Sequence, residues 1–299
     1  MLIAALGSLG ERLDAKFISA YFFPAFVAVL GTIVILVRTL GGERFVEWLE
    51  QSDSTKEALT ALVLVLLTLM VAEMLRAMAR PIARWYIGRA FPELIKHPSL
   101  QHQLRARARA RIGLGMVLRG DRLFPHDPTD TEPTAFGNVV AAGVDYPRLI
   151  YAMDTYHWWP RLLPLLPAEF QEQLRSLESP MRSMLNLSLV SLYLGCLAAL
   201  SLGLAQSNWI TTVAALVVGL LVANFFYRAA IAQAVELVRN IWVGFDLYRY
   251  EILKQMNVEL PTTLEDERAL WQRLTQRLRL FEEPVTIART EDDASASQS

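Results

Sequence analysis

The chain has 299 residues, of which 53% are apolar and 20% charged, with a mean hydropathy of +0.29 and a formal net charge of -1. So apolar a composition argues against an ordinary soluble domain, and a single cysteine, Cys196, excludes an intrachain disulfide. The near-zero net charge conceals a strong sorting of charges along the chain.

Residues 1–16 carry Leu2, Ile3, Leu6, Leu9 and Leu13 at helical spacing, with Glu11 and Asp14 among them. They read as an interfacial helix rather than a cleaved signal. Between Lys16 and Arg38 lie 21 uncharged residues, enough to cross a hydrocarbon core about 30 Å thick. The next apolar stretch, Ala58–Ala72, has only 15 before Glu73. A second span therefore requires Glu73 to enter the membrane, or the helix to tilt and thin the bilayer. Residues 17–78 are thus assigned to spans one and two.

The segment after them is basic, with Arg76, Arg80, Arg84, Arg89, Lys96, Arg105, Arg107, Arg109 and Arg111. The short 41–57 loop is acidic by comparison. By the bias of basic residues toward the inner side, residues 79–181 form a cytoplasmic helical region, which Pro81, Pro92, Pro98, Pro147, Pro160, Pro164 and Pro167 divide. Phe124–Thr134, with three prolines, reads as a loop. Trp158, Trp159 and the leucines beyond them suit a membrane surface.

From Ser183 to Tyr227 the chain has 45 uncharged residues, matching two crossings turned at Ala205-Gln206-Ser207-Asn208. Residues 182–228 are read as this hairpin, spans three and four. Apolar residues then recur from Ile231 through Val235, Val238, Trp242, Phe245 and Tyr248 to Ile252, continuing the fourth span as a stalk to Met256. A helix from Trp209 to Met256 would be about 70 Å long. Thr262 and Glu265 are spaced as a capping box before a last helix with Leu270, Trp271, Leu274, Leu278 and Phe281 on one side. That stripe needs cover from the stalk of its own chain or of a neighbour. Residues 229–281 complete the stalk and C-terminal helix, and 282–299 read as a disordered tail. The fold class is all-α: a polytopic membrane protein of about four spans with a helical cytoplasmic domain, and both termini inside.

Chemistry-bearing motifs are sparse. His97, His102, His126 and His157 lack metal-ligand spacing, and Gly113-Leu114-Gly115 lacks the third glycine of a dinucleotide loop. Neither catalysis, a metal nor a cofactor is expected. Arg105, Arg107, Arg109 and Arg111 alternate with other residues, and the arginine fork suits phosphate, so they are the candidate contacts for an anionic ligand. The plainer reading is attraction to anionic lipid headgroups. Glu73 and Arg76 are candidate pore residues, against an interfacial ion pair reaching for water. Asn186 and Asn224, placed to meet near one end of the hairpin, are pore candidates too, or else ties between helices.

The segment Phe136-Gly137-Asn138-Val139, Asp145-Tyr146-Pro147-Arg148, Tyr151-Ala152-Met153-Asp154 and Trp159-Pro160-Arg161-Leu162-Leu163-Pro164-Leu165-Leu166-Pro167 resembles a widespread group of uncharacterised bacterial membrane proteins. Their pattern is roughly GN, DYP, then D and WPRLxPLLP, over about 35 residues. In architecture the chain also looks like membrane effectors of anti-phage systems of the Hailong type. That likeness implies a channel controlled by a nucleic-acid oligomer from a partner nucleotidyltransferase, in the bacterial inner membrane. The combined expectation is a homo-oligomeric ion channel gated by an anionic, nucleotide or oligonucleotide, ligand at a basic cytoplasmic domain. The alternative is a non-conducting scaffold that anchors a cytoplasmic partner through the 270–281 stripe and the basic segment.

Overall fold

A computed structural model describes residues 15–39, 54–112, 124–205 and 207–279, without the side chains of 109–112. Most of the interfacial helix and of the acidic loop, the Gly113–Gly115 segment, Gln206, Phe281 and the tail lie outside the described residues. Those described are helical, with no strand among them.

Four helices have the length and hydropathy to cross a membrane. The first, α1, is Ala15–Thr39, widened by a π-helical turn at Ile18–Phe22. The second, α2, is Ser54–Ala77. It includes Glu73 and Arg76, so the uncharged run understated its length. Helix α3, Ala79–Ile87, follows immediately, the break falling at Met78 (φ -85°, ψ 5°). Pro81 lacks the N–H that would bond Ala77, which ends the regular ladder there. Arg80 consequently belongs to α3.

Helix α4 is Glu93–Ile112, α5 is Ala135–Tyr151 and α6 is Thr155–Leu162. Pro98, Pro147 and Pro160 lie inside these helices and do not divide them. Each removes one backbone bond, and the helix continues past it. The third span lies in α7, Ala168–Leu204, which begins well before the uncharged run and passes through Pro180. The fourth, α8, is Trp209–Gln255, 47 residues and about 70 Å. Asn208 caps it, its Oδ1 accepting from Ile210 N at 3.0 Å. Helix α9 is Leu264–Arg279. Its cap sits one residue later than the sequence spacing implies: Thr263 Oγ1 accepts from Asp266 N at 3.1 Å and donates to the Asp266 carboxylate at 2.6 Å.

The chain separates into two compact units, one of residues 1–143 and 167–241, the other of 144–166 and 242–299. In the first, small residues let the membrane helices approach closely. A Cβ on Gly219 would lie 2.5 Å from Gly195 Cα, so α7 and α8 touch backbone to backbone. Ser188 Oγ adds a bond to the Ala223 carbonyl at 2.9 Å. Helix α1 is tied to α7 by Thr32 and Tyr193 hydroxyls 3.1 Å apart and by the Lys16–Glu172 ion pair at 2.8 Å. Ala25, Ala72, Leu75 and Ile82 form an apolar core among α1, α2 and α3.

In the second unit, Met153, Trp158, Leu162, Phe245, Leu253 and Trp271 are all fully buried. Trp158 meets Trp271 edge-on at 4.9 Å and donates its indole N–H to Thr275 Oγ1 at 2.8 Å. These tryptophans and leucines were expected at a membrane surface. Trp158, Leu162 and Leu166 are buried in protein instead, Trp158 against Trp271 of α9, while Trp159 is half-buried and Leu163 stays exposed. Within the 270–281 stripe, Trp271 thereby finds its partner in its own chain.

Candidate functional site

Helix α4 carries the four arginines, and at 100° per residue alternate positions fall about 200° apart. All four cannot share one face: positions 105 and 109 fall on one side of the helix and 107 and 111 on the other. Arg105 is exposed, whereas Arg107 is only 6% exposed. Its guanidinium donates to Thr131 Oγ1 at 3.0 Å and to the His126 carbonyl at 2.5 Å. Arg107 therefore holds the 126–131 turn, and its donors are directed at protein rather than at a ligand. In that turn Asp127 accepts from Thr129 N and Oγ1, and those bonds, with the nearby Arg107 charge, hold its carboxyl below the ordinary range. Arg109 and Arg111 continue the helix, their side chains outside the described residues.

Glu73 and Arg76 form an ion pair at 3.4 Å with both side chains more than half exposed. Asn186 is buried and donates to the Ala20 carbonyl at 2.7 Å, inside the π-helical turn of α1. A π-turn disturbs the regular carbonyl ladder, and Asn186 satisfies the displaced group. Asn224 is exposed on α8 and has no hydrogen-bond partner among the described residues. The two asparagines thus have separate environments: one ties α7 to α1, the other faces outward.

The residues of the GN, DYP and WPRLxPLLP pattern prove to have local tasks. Asn138, 1% exposed, accepts from Glu132 N at 2.9 Å and donates to the Thr134 carbonyl at 2.8 Å, closing the turn before α5. Gly137 packs against the Ile87 carbonyl oxygen, where no Cβ fits. Arg148 bonds Asp145 at 2.5 Å. Asp154 caps α6 by accepting from Tyr156 N at 3.1 Å, and it also binds Arg279 at 2.6 Å. Burial opposes its ionisation, but these bonds prevail and keep its carboxyl below the ordinary range.

The densest polar assembly lies in the second unit. Asp246 accepts from Tyr151 Oη at 2.7 Å and Tyr146 Oη at 3.1 Å. One turn on, the Arg249 guanidinium is flanked by the rings of Tyr151 and Tyr250, at 4.1 and 4.4 Å. Its Nε donates to Glu267 Oε1 at 2.6 Å, and Tyr250 Oη donates to Glu267 Oε2 at 2.9 Å. Glu267 is 2% exposed. Burial opposes its charge, yet the bonds from Arg249 and Tyr250 outweigh that and hold its carboxyl below the ordinary glutamate range. Burial and the bond to Asp246 push Tyr151 well above the ordinary phenol range. Glu267 is paired with Arg249 and the second carboxylate, Asp246, is hydrogen-bonded by two phenols, an arrangement suited to fastening α8 to α5 and α9. Sequence reading passed over this cluster. Its only trace was charge within the apolar stripe of the stalk, at Asp246 and Arg249.

Among the described residues no group of His, Cys, Asp and Glu could hold a metal. An apolar cavity of about 310 Å³ lies between α1 and α7, lined by Leu36, Thr39, Leu197, Leu200, Ser201, Leu204 and Ala205. No protein-family model, curated protein or solved structure matches the chain.

Proposed function

We propose that this multi-pass membrane protein works as a homo-oligomeric ion channel, with its basic segment on the cytoplasmic side of a bacterial inner membrane. The observation that carries the reading is the outward placement of polar groups on two spans, Asn224 on α8 and the Glu73–Arg76 pair on α2. Polar and ionisable groups at or near membrane depth favour water or polar partners over lipid tails. Four spans do not enclose a wide pore alone, so conduction takes place between copies around an axis.

Gating by an anionic nucleotide or oligonucleotide belongs to the same proposal, in narrowed form. Arg105 is the exposed candidate contact, joined by Arg109 and Arg111 further along the helix, and Arg107 acts by holding the 126–131 turn. The alternative is a scaffold that holds a partner through the basic segment and the 270–281 stripe; contact of Trp271 and Thr275 with Trp158 leaves less of that stripe for a partner.

Purified protein in planar bilayers tests the reading. Current that changes on Glu73→Gln or Arg76→Gln and responds to added nucleotide supports it. Silence with and without nucleotides and short oligonucleotides removes it.

A further inference from the structure

We propose that copies of the chain associate along one face of α8, with the Asn224 amide of one copy hydrogen-bonded to that of the next. This rests on the oligomeric reading above and names its contact.

On one side of α8, Gly219, Ala223, Ala230 and Ala234 are buried within the chain. A different face presents Ile210, Val213, Val217, Leu220, Leu221 and Asn224 outward. At 100° per residue all six fall within about 60° of Asn224. Ile210, Val217 and Asn224 are seven apart, and Val213 and Leu220 are likewise seven apart. This is the spacing of a two-helix seam. Only 6% of the most apolar stretch of α8 is buried in the chain, the least among the four spans.

Lipid tails would accept the apolar members of this face, and Asn224 is what selects another helix. Its side chain has no hydrogen-bond partner among the described residues. Arg228, the first charge after the span, lies only four residues on, about 6 Å along the axis. A carboxamide carries both donors and an acceptor, so it is complementary to its own symmetry mate. At this end of the span a bond between amides draws helices together wherever lipid tails, which offer the amide nothing, would otherwise meet it. A polar asparagine at a single seam position also fixes register, setting Val217 against Val217 and Leu220 against Leu220.

Single-cysteine chains test this in nanodiscs, starting from Cys196→Ser and adding Val217→Cys, Leu220→Cys or Val222→Cys. Val222 is also exposed, but on the other side of the helix. Oxidation is expected to link copies through 217 and 220 several times more than through 222. Adding Asn224→Leu should reduce linkage at Val217 about fivefold, and Asn224→Gln should largely restore it. Because Asn224 bonds nothing described in its own chain, unchanged thermal unfolding of the Leu variant will separate association from folding. An oligomer by native mass spectrometry with equal linkage at 222, or with no effect of Asn224→Leu, overturns the contact and leaves the oligomeric reading standing. A monomer overturns both.

Discussion

Single side chains in this protein separate sharply into those committed to folding and those left outward. Arg105 and Arg107 are two residues apart, yet only Arg107 is buried and bonded to the 126–131 turn. Arg107→Gln should lower stability by about 2 kcal/mol, since bonds from a charged donor to Thr131 and His126 are lost. Arg105→Gln should leave thermal unfolding nearly unchanged while weakening any binding of phosphate-rich ligands. Equal destabilisation by the two would contradict this division. Glu267→Gln should likewise cost about 2 kcal/mol, because Arg249 would lose its charged acceptor. The pH dependence follows from direction. The folded protein holds Glu267 and Asp154 below their ordinary pKa. Their contribution is therefore complete above the ordinary carboxylate range and lost as pH falls through their lower folded values. Fluorescence of a variant that keeps Trp158 and Trp271 as its only tryptophans should show the second unit loosening in acid. Glu267→Gln should flatten that acid transition.

Whole helices are positioned by small residues and polar ties more than by propensity. The α7–α8 hairpin depends on Gly195 and Gly219, whose backbones are in contact. Either glycine replaced by leucine forces the helices apart, and the obstacle is backbone, which cannot rotate away as a side chain can. We expect Gly219→Leu to reduce the yield of monodisperse protein and to raise protease sensitivity between α7 and α8. Ser188→Ala, which removes one bond to the Ala223 carbonyl, should cost only about 0.6 kcal/mol. A Gly219→Leu protein as resistant to protease as the parent would show that the close approach is dispensable.

For the whole molecule, the membrane assignment and the activity rest on different foundations. Length and hydropathy support four crossings. Conduction depends on what the outward faces of α2 and α8 meet. If copies surround a conducting path, Glu73→Lys should shift the reversal potential of the bilayer current toward anion selectivity, because a ring of carboxylates would become a ring of ammonium groups. An unchanged reversal potential with intact current would place the path elsewhere.

The spans were legible in the sequence because hydrocarbon tolerates so little: an uncharged run such as 183–227 has few alternatives to a helical hairpin. The length of α8 was legible too, since its apolar period continues beyond Arg228. What a side chain contacts was less so. Alternating arginines look equivalent in one dimension, but a helix turns them about 200° apart and only the packed turn at 126–131 decides which is buried. Trp158 carries the same amphipathic signal at a membrane surface or in a protein core, and α9, more than a hundred residues later, decided for the core. The network of Asp246, Arg249 and Glu267 was invisible because its members come from α8 and α9 and acquire their meaning only when burial makes each charge require a partner. The sequence by itself thus determined where this chain enters a membrane, through the solvation cost of charge. Which polar groups remain free to act was decided by tertiary packing, which consumes some and leaves others, Asn224 above all, facing outward.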